Sequence, residues 1–533
     1  MITATRQVMA GNVASRVTGL LRVLAVGGAL GATYLGNTYQ TANLFSNLLF
    51  ELLAAGALSS VLVPPLVRLL DSGRRGEAEA LAGAMLGIAL VALGVVTAAG
   101  LLARPWIMRA LTVAVDDADV RRREVELGSF LLVLFVPQVV LYAVGAIATA
   151  VLHGARRFAA AAVAPVANNV VVIATMAAFW AVHDRSEGLR GPNAVAGLDL
   201  TLAERLVLAG GTTAGVLAMT LVPLVALRRA GLRLRPRWQP RHPELRSLAR
   251  AGAWGAAYLA LGQVLIATTL VLANRVEGGV VAYQIAFTAF LLPYAVLAHP
   301  VLTTLYPRLV AEAASRRWRA FADALGGGSR TIVFLILPAG ALLVALGGPA
   351  LRLVRLGALD DAGASLVARV LAAYALGLVG YAGMHLLTRA SYAADDTRTP
   401  ALVNLGVCAG GSVLMLIGFA TTSGDGRVVA LGLAHSVAVL GGAATLLALV
   451  RRRAGERWPV GAALARACAG AAAAGATAAA VADAVPGRGR ATDAVALALG
   501  GVAGVAVYLA VQWALRAPEL VRPGRLVPEV VAQ

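Results

Sequence analysis

Residues 8–30 read VMAGNVASRVTGLLRVLAVGGAL. The stretch is long and apolar enough for a membrane-spanning helix, since roughly 20 residues cross a hydrocarbon core. Yet Arg16 and Arg22 stand inside it. An arginine at the bilayer centre costs about 2.5–3.5 kcal/mol on insertion scales. A chain that keeps two of them turns them toward protein or water, usually along a transport path. A guanidinium placed there suits an anionic cargo.

The rest of the chain has the same character. Of its 533 residues, 59% are hydrophobic and only 14% charged, and the mean hydropathy is +0.78. Apolar runs of roughly 18–25 residues recur from end to end. They define an all-α polytopic membrane protein and leave no room for a large soluble domain. The alternating strands of a membrane barrel are absent from the pattern. The first apolar stretch is expected to be retained rather than removed as a signal. It is too long, it holds two arginines, and a second span follows at once.

The net charge of +19 comes from arginine alone, because the sequence has no lysine. These arginines sit in short connections between spans, so nucleic acid is not an expected partner. A P-loop needs lysine, and the sequence also lacks HExxH, CxxC and a nucleophile elbow. No enzyme chemistry, metal or cofactor is expected. Energy must come from an ion gradient, the membrane potential or the substrate gradient. Cys408 and Cys468 lie in apolar stretches and read as packing.

About fourteen spans can be placed, near 7–31, 36–69, 79–103, 126–152, 158–182, 205–227, 250–274, 280–307, 329–351, 365–389, 399–421, 428–450, 460–482 and 491–515. With both termini inside, the cytoplasmic connections hold roughly twice as many arginines as the opposite set, which is the positive-inside bias. Arg228 to Arg250 is its strongest element and the longest cytoplasmic connection. It also divides an internal repeat. Span two ends Val61-Leu62-Val63-Pro64-Pro65-Leu66-Val67, and span eight ends Thr304-Leu305-Tyr306-Pro307-Arg308-Leu309-Val310, offset by 307 − 64 = 243. Span five opens at Pro165 with Asn169, and span eleven at Pro400 with Asn404, offset by 400 − 165 = 235. The expected organisation is an N-terminal lobe over 1–228 and a C-terminal lobe over 229–455. Two further spans and a tail fill 456–533. Parallel repeats place substrate between lobes.

On a helical wheel Asn12, Ser15, Arg16, Gly19 and Arg22 share a sector of about 120°. In span two, Gln40, Asn43, Asn47 and Glu51 share about 80°, and Asn37 extends the stripe. Two consecutive polar faces most simply line one hydrated cavity, whose arginines bind phosphate. The structural alternative is that Glu51 pairs with Arg16 or Arg22 and fixes the helices together; burying three ionisable groups for that purpose is poor value. In span eight, Gln284 and Thr288 are polar, and Pro293 and Pro300 favour kinks that suit a hinge. Gly19 is a further hinge candidate. His299, His385 and His435 could take part in proton or ion handling, or simply bond between helices.

Ala14-Ser15-Arg16-Val17-Thr18-Gly19-Leu20-Leu21-Arg22 resembles the SRxxGxxR signature that opens the MurJ/MviN family of the multidrug/oligosaccharidyl-lipid/polysaccharide exporter superfamily. Asn47 through Pro64, with Gly56-Ala57-Leu58-Ser59 inside, is similar to the family's second span. Arg157-Phe158 with Pro165 and Asn169 resembles its fifth. Ser391-Tyr392-Ala393-Ala394-Asp395-Asp396-Thr397-Arg398-Thr399-Pro400 is similar to its span ten to eleven loop. The resemblance implies a flippase for lipid-linked peptidoglycan precursor in the cytoplasmic membrane. Arg16 and Arg22 would hold the pyrophosphate, and spans thirteen and fourteen would form a groove for the polyprenyl tail. The implied partners are a polyprenyl-linked anionic lipid, membrane lipids and cell-wall synthesis proteins. The chain departs from the family pattern at Phe50 and Glu51, which stand where two arginines are usual. It departs again at Asn37, Ala55, Thr288 and Leu291, so the cavity is expected to be less cationic. Two rival readings remain at this stage. One is an exporter of the same fold for another polyprenyl-linked glycan or a cationic drug. The other is a non-transporting scaffold of the cell-wall machinery.

Overall fold

A computed structural model describes residues 2–52, 56–187, 197–239, 259–354, 357–455, 458–487 and 489–521, excluding the side chains of 2–9, 12, 56–62, 184–187 and 521. Among the described residues all regular structure is helical. The helices are α1 Ile2–Leu30, α2 Tyr34–Phe50, α3 Gly56–Asp71, α4 Arg75–Leu111, α5 Ala118–Phe135, α6 Gln138–Gly154, α7 Ala159–Glu187 and α8 Leu202–Arg229. A shorter apolar helix, α9, covers Leu259–Ala273. Then come α10 Gly279–Pro293, a π-helical turn Tyr294–Ala298, α11 His299–Ala314, α12 Trp318–Leu353, α13 Asp361–Ala375 and α14 Leu378–Ala393. The chain continues through α15 Arg398–Thr421, α16 Gly426–Ala454, α17 Gly461–Asp483, α18 Arg490–Ala514 and the short α19 Pro518–Val521.

Eleven helical stretches are long and apolar enough to cross a membrane, and α13–α14, bent by 45°, makes up to twelve. The two other spans read from the sequence, 36–69 and 250–274, each include residues outside the described set. Helix starts follow local chemistry. Thr33 caps α2 through Gly36 N–H at 3.2 Å. Asp117 caps α5 through Asp119 and Val120 N–H, and Asp360 caps α13 through Gly363 N–H. Each side-chain oxygen satisfies an orphan donor of the first turn.

The chain divides into two compact units, Met1–Val281 with Leu356–Leu359, and Ala282–Arg355 with Asp360–Gln533. The first runs past residue 228, and side chains of α2 bond to the turn after α9 within it. Two apolar clusters lie within it. One joins Val26, Leu30, Leu35, Met108, Phe135 and Phe179. The other joins Leu66, Leu81, Ile147, Leu152 and Leu227. No described residue of α1 before Ala25 belongs to either.

In the second unit, α17 and α18 pack on α12. Lipid tails remove most of the hydrophobic drive between spans, so close backbone approach through small residues takes over. A Cβ at Gly500 would lie 2.8 Å from the Ala478 carbonyl, and one at Gly504 would lie 3.0 Å from that of Ala474. The loop motif before α15 is built by Asp396. It accepts from Thr399 N–H at 3.0 Å and from Arg453 Nη1 at 2.5 Å. Burial opposes its charge, but the Thr399 hydrogen bonds and the Arg453 guanidinium outweigh that and hold its pKa below the usual carboxylate value. Arg156 (φ 58) and Asp395 (φ 56) both take the left-handed conformation after the helices corresponding to spans four and ten. Their spacing, 395 − 156 = 239, lies between the two repeat offsets.

Candidate substrate site

Helix α1 is continuous through both arginines. One side of it packs on α7. A Cβ at Gly11 would come within 2.9 Å of Ala162 Cβ. Asn169 Nδ2 donates to Thr18 Oγ1 at 2.9 Å and to the Ser15 carbonyl at 3.3 Å. The same amide passes Gly19, whose Cβ position lies 3.6 Å away. Ser15 and Gly19 are half-buried and so occupied in packing, while Arg16 is exposed and Arg22 half-buried. The Asn12 side chain is outside the described residues.

Arg22 holds the most telling position. Its Nε is buried and has no hydrogen-bond acceptor among the described residues. A buried donor left unmade costs about 1–3 kcal/mol, and more when charged. No ion pair joins Glu51 to Arg16 or Arg22 among the described residues, so the helix-fixing alternative has no contact behind it. On α2 and α6, the Tyr39 and Tyr142 hydroxyls are both hydrogen-bonded. Those hydroxyls begin a polar chain. Tyr39 Oη lies 2.8 Å from Thr212 Oγ1. Tyr142 Oη donates to Gln138 Oε1 at 3.5 Å, and Gln138 Nε2 donates to Thr213 Oγ1 at 2.8 Å. Side chains of α2, α6 and α8 thus meet at Thr212 and Thr213. The wheel of α1 and α2 did not point to Tyr39, Gln138 or Tyr142. The available signal was Gln138 and Tyr142 one turn apart in an otherwise apolar span. Phe50, where the family pattern has arginine, packs its ring on Tyr142 at 5.3 Å.

The stripe on α2 divides. Asn37 is a correction to the cavity set: it is fully buried. Its Nδ2 donates to the Val276 carbonyl at 2.8 Å and its Oδ1 accepts from Val280 N–H at 3.0 Å. Both amide atoms are spent on closing the turn before α10, where the Val280 N–H needs a side-chain acceptor. Thr41 and Asn274 continue this wall, with Thr41 Oγ1 donating to Asn274 Oδ1 at 3.2 Å. Gln40 and Asn43 are buried as well, whereas Asn47 and Glu51 are half-buried. Asn37→Ala would strand the Val280 N–H, while the Val276 carbonyl keeps the Gly279 N–H at 2.9 Å. It should cost roughly 1–3 kcal/mol, read as a lower unfolding midpoint of the purified protein. An unchanged midpoint would return Asn37 to the cavity.

In the second unit, Gln284 and Thr288 are half-buried, and Thr288 Oγ1 donates to the Gln284 carbonyl at 2.8 Å. Between Pro293 and Pro300 the helix widens into the π turn, where His299 N–H reaches the Tyr294 carbonyl. The Tyr294 ring sits 5.0 Å from Tyr381 and 5.1 Å from His385. The two prolines therefore flank a real irregularity, as kink-forming residues do.

These features define a class, a polytopic helical protein with the fold of the multidrug and lipid exporters. The solved structure of a lipid II flippase MurJ in an inward closed conformation covers 98% of this chain and 100% of its own, with TM-score 0.76 and 18% identity. An inward-facing multidrug resistance MATE transporter of the MOP superfamily covers 83% and 94%, with TM-score 0.66 and 14% identity. The chain belongs to the lipid II flippase MurJ family, whose model matches residues 26–487. That match begins just after Arg22. A probable lipid II flippase MurJ of Rhizobium meliloti is 29% identical over 72% of this chain and 69% of its own length. The lipid II flippase MurJ of Burkholderia cenocepacia is 26% identical over 74% and 73%.

Proposed function

We propose that this chain carries lipid II across the cytoplasmic membrane by alternating access, from inner to outer leaflet, with both termini cytoplasmic. The observation that carries this reading is Arg22: a guanidinium in the first span with a buried Nε and no protein acceptor among the described residues. Arg22 and exposed Arg16 grip the pyrophosphate through charge-assisted hydrogen bonds. Tyr39 and Tyr142 present hydroxyls to the same region, and Asn43 and Asn47 meet polar parts of the head group. Gln284 and Thr288 are the candidate polar contacts of the second repeat. Gly19, Pro293 and Pro300 act as hinges. The repeated lobes are 1–228 and 229–455, and 456–533 adds the two spans that take the polyprenyl tail. The work is transport rather than covalent catalysis, and the partners are the lipid substrate, membrane lipids and proteins of cell-wall synthesis.

The reading is tested in proteoliposomes loaded with labelled lipid II. Protein-dependent exposure of the label to an outside reagent is the expected result. Transport of a cationic dye in place of lipid II would overturn it.

A further inference from the structure

The arginine-rich connection after α8 is more than a solvated charge run. After Gly231 (φ 71) the chain runs extended to Gln239 along the first turns of α4. Leu232 is buried and Leu234 packs on the same apolar cluster, while Arg233, Arg235 and Arg237 are exposed. Side chains alternate in an extended chain, so these three guanidiniums leave one side at intervals of roughly 7 Å. Trp238 follows, 62% exposed.

The strap is locked in register. Arg237 N–H donates to the Gly83 carbonyl at 2.8 Å. Arg233 N–H donates to Glu79 Oε1 at 2.9 Å, and Arg75 Nη2 reaches the Ala230 carbonyl at 3.3 Å. A Cβ at Gly83 would stand 2.3 Å from the Arg235 carbonyl, and one at Gly87 would stand 2.1 Å from that of Arg237. Only glycine permits this approach. Among the described residues none of the three guanidiniums meets a carboxylate, Glu79 serves the strap backbone, and Glu77 pairs with Arg74 at 3.2 Å. The strap begins beside the charged start of α4, Arg75 to Glu79, and crosses the boundary into the apolar run from Ala80 to Ala103. That boundary is the level of the lipid head groups, on the side the arginine bias assigns to the cytoplasm.

We propose that Arg233, Arg235, Arg237 and Trp238 form a binding site for anionic phospholipid of the adjoining leaflet. The guanidiniums hold phosphate oxygens, and the indole enters the interface, where its apolar body and N–H are both satisfied. The site is separate from Arg16 and Arg22 and requires only that the chain spans a membrane.

The test titrates full-length purified protein in detergent with dioctanoyl phosphatidylglycerol, dioctanoyl phosphatidylcholine and inorganic phosphate. Native mass spectrometry and thermal shift read binding. Phosphatidylglycerol should bind and stabilise where the other two do not. Each arginine near an anionic surface contributes about fivefold, so Arg233→Gln, Arg235→Gln and Arg237→Gln together should weaken it about 100-fold. Gly87→Leu, which displaces the strap without removing a charge, should weaken it too. Arg16→Ala with Arg22→Ala should leave it unchanged, even if lipid II transport fails. Unaltered phosphatidylglycerol affinity in the triple variant, or equal binding of phosphatidylcholine or free phosphate, would overturn the proposal.

Discussion

Arg16→Ala combined with Arg22→Ala is expected to abolish lipid II translocation in proteoliposomes while leaving the protein folded. In the proposed mechanism each arginine supplies charge-assisted hydrogen bonds to the pyrophosphate, worth about 1.5–3 kcal/mol apiece. Losing both sets lowers the rate by about 100-fold or more. Stability should hold, because Arg16 is exposed and Arg22 Nε has no acceptor among the described residues. That pairing of outcomes separates a binding role from helix-fixing, in which transport and stability would fall together. Arg22→Lys should give an intermediate rate, since it keeps the charge but loses the planar fork. Wild-type transport by the double variant would remove the mechanism.

Glu204→Ala is expected to be the most damaging single change to stability. Glu204 is fully buried at the start of α8. It accepts from Thr201 N–H at 2.7 Å and Thr201 Oγ1 at 2.8 Å, and it lies 2.7 Å from His183 Nδ1 at the far end of α7. The Thr201–Glu204 capping box thereby fastens two spans as well as starting one. Removing the carboxylate takes the shared acceptor from three part-buried donors, each bond to a charged group being worth about 1.5–3 kcal/mol, so the cost should be about 3–5 kcal/mol, seen as a lower unfolding midpoint. Glu204→Gln should recover part of the loss, because its carbonyl oxygen still accepts from Thr201. A wild-type midpoint for the alanine variant would show that His183 and Thr201 find other partners.

Particular residues show how far the sequence could be read. The class of the chain, its span positions and the prominence of Arg16 and Arg22 follow from hydropathy and from the cost of charge in lipid. Pro293 and Pro300 announced a break, and a π turn stands between them. The T-x-x-E spacing of Thr201 and Glu204 was readable as a capping box, but nothing in it named His183. Asn37 lay on the right stripe for a cavity and turned out to close a backbone turn more than two hundred residues away, 276 − 37 = 239. Helical periodicity says which side chains share a face. It does not say which distant carbonyl that face meets.

Composition and period alone settled that this chain is a bundle of membrane helices carrying two costly arginines, because the bilayer imposes length, apolarity and a charge penalty on every span whatever its neighbours. Only tertiary structure decided which polar residues are consumed by packing, as Asn37 and Asn169 are, and which retain unused hydrogen-bonding capacity, as Arg22 does. Hydrogen bonding is a matter of a few tenths of an ångström between groups far apart in the chain.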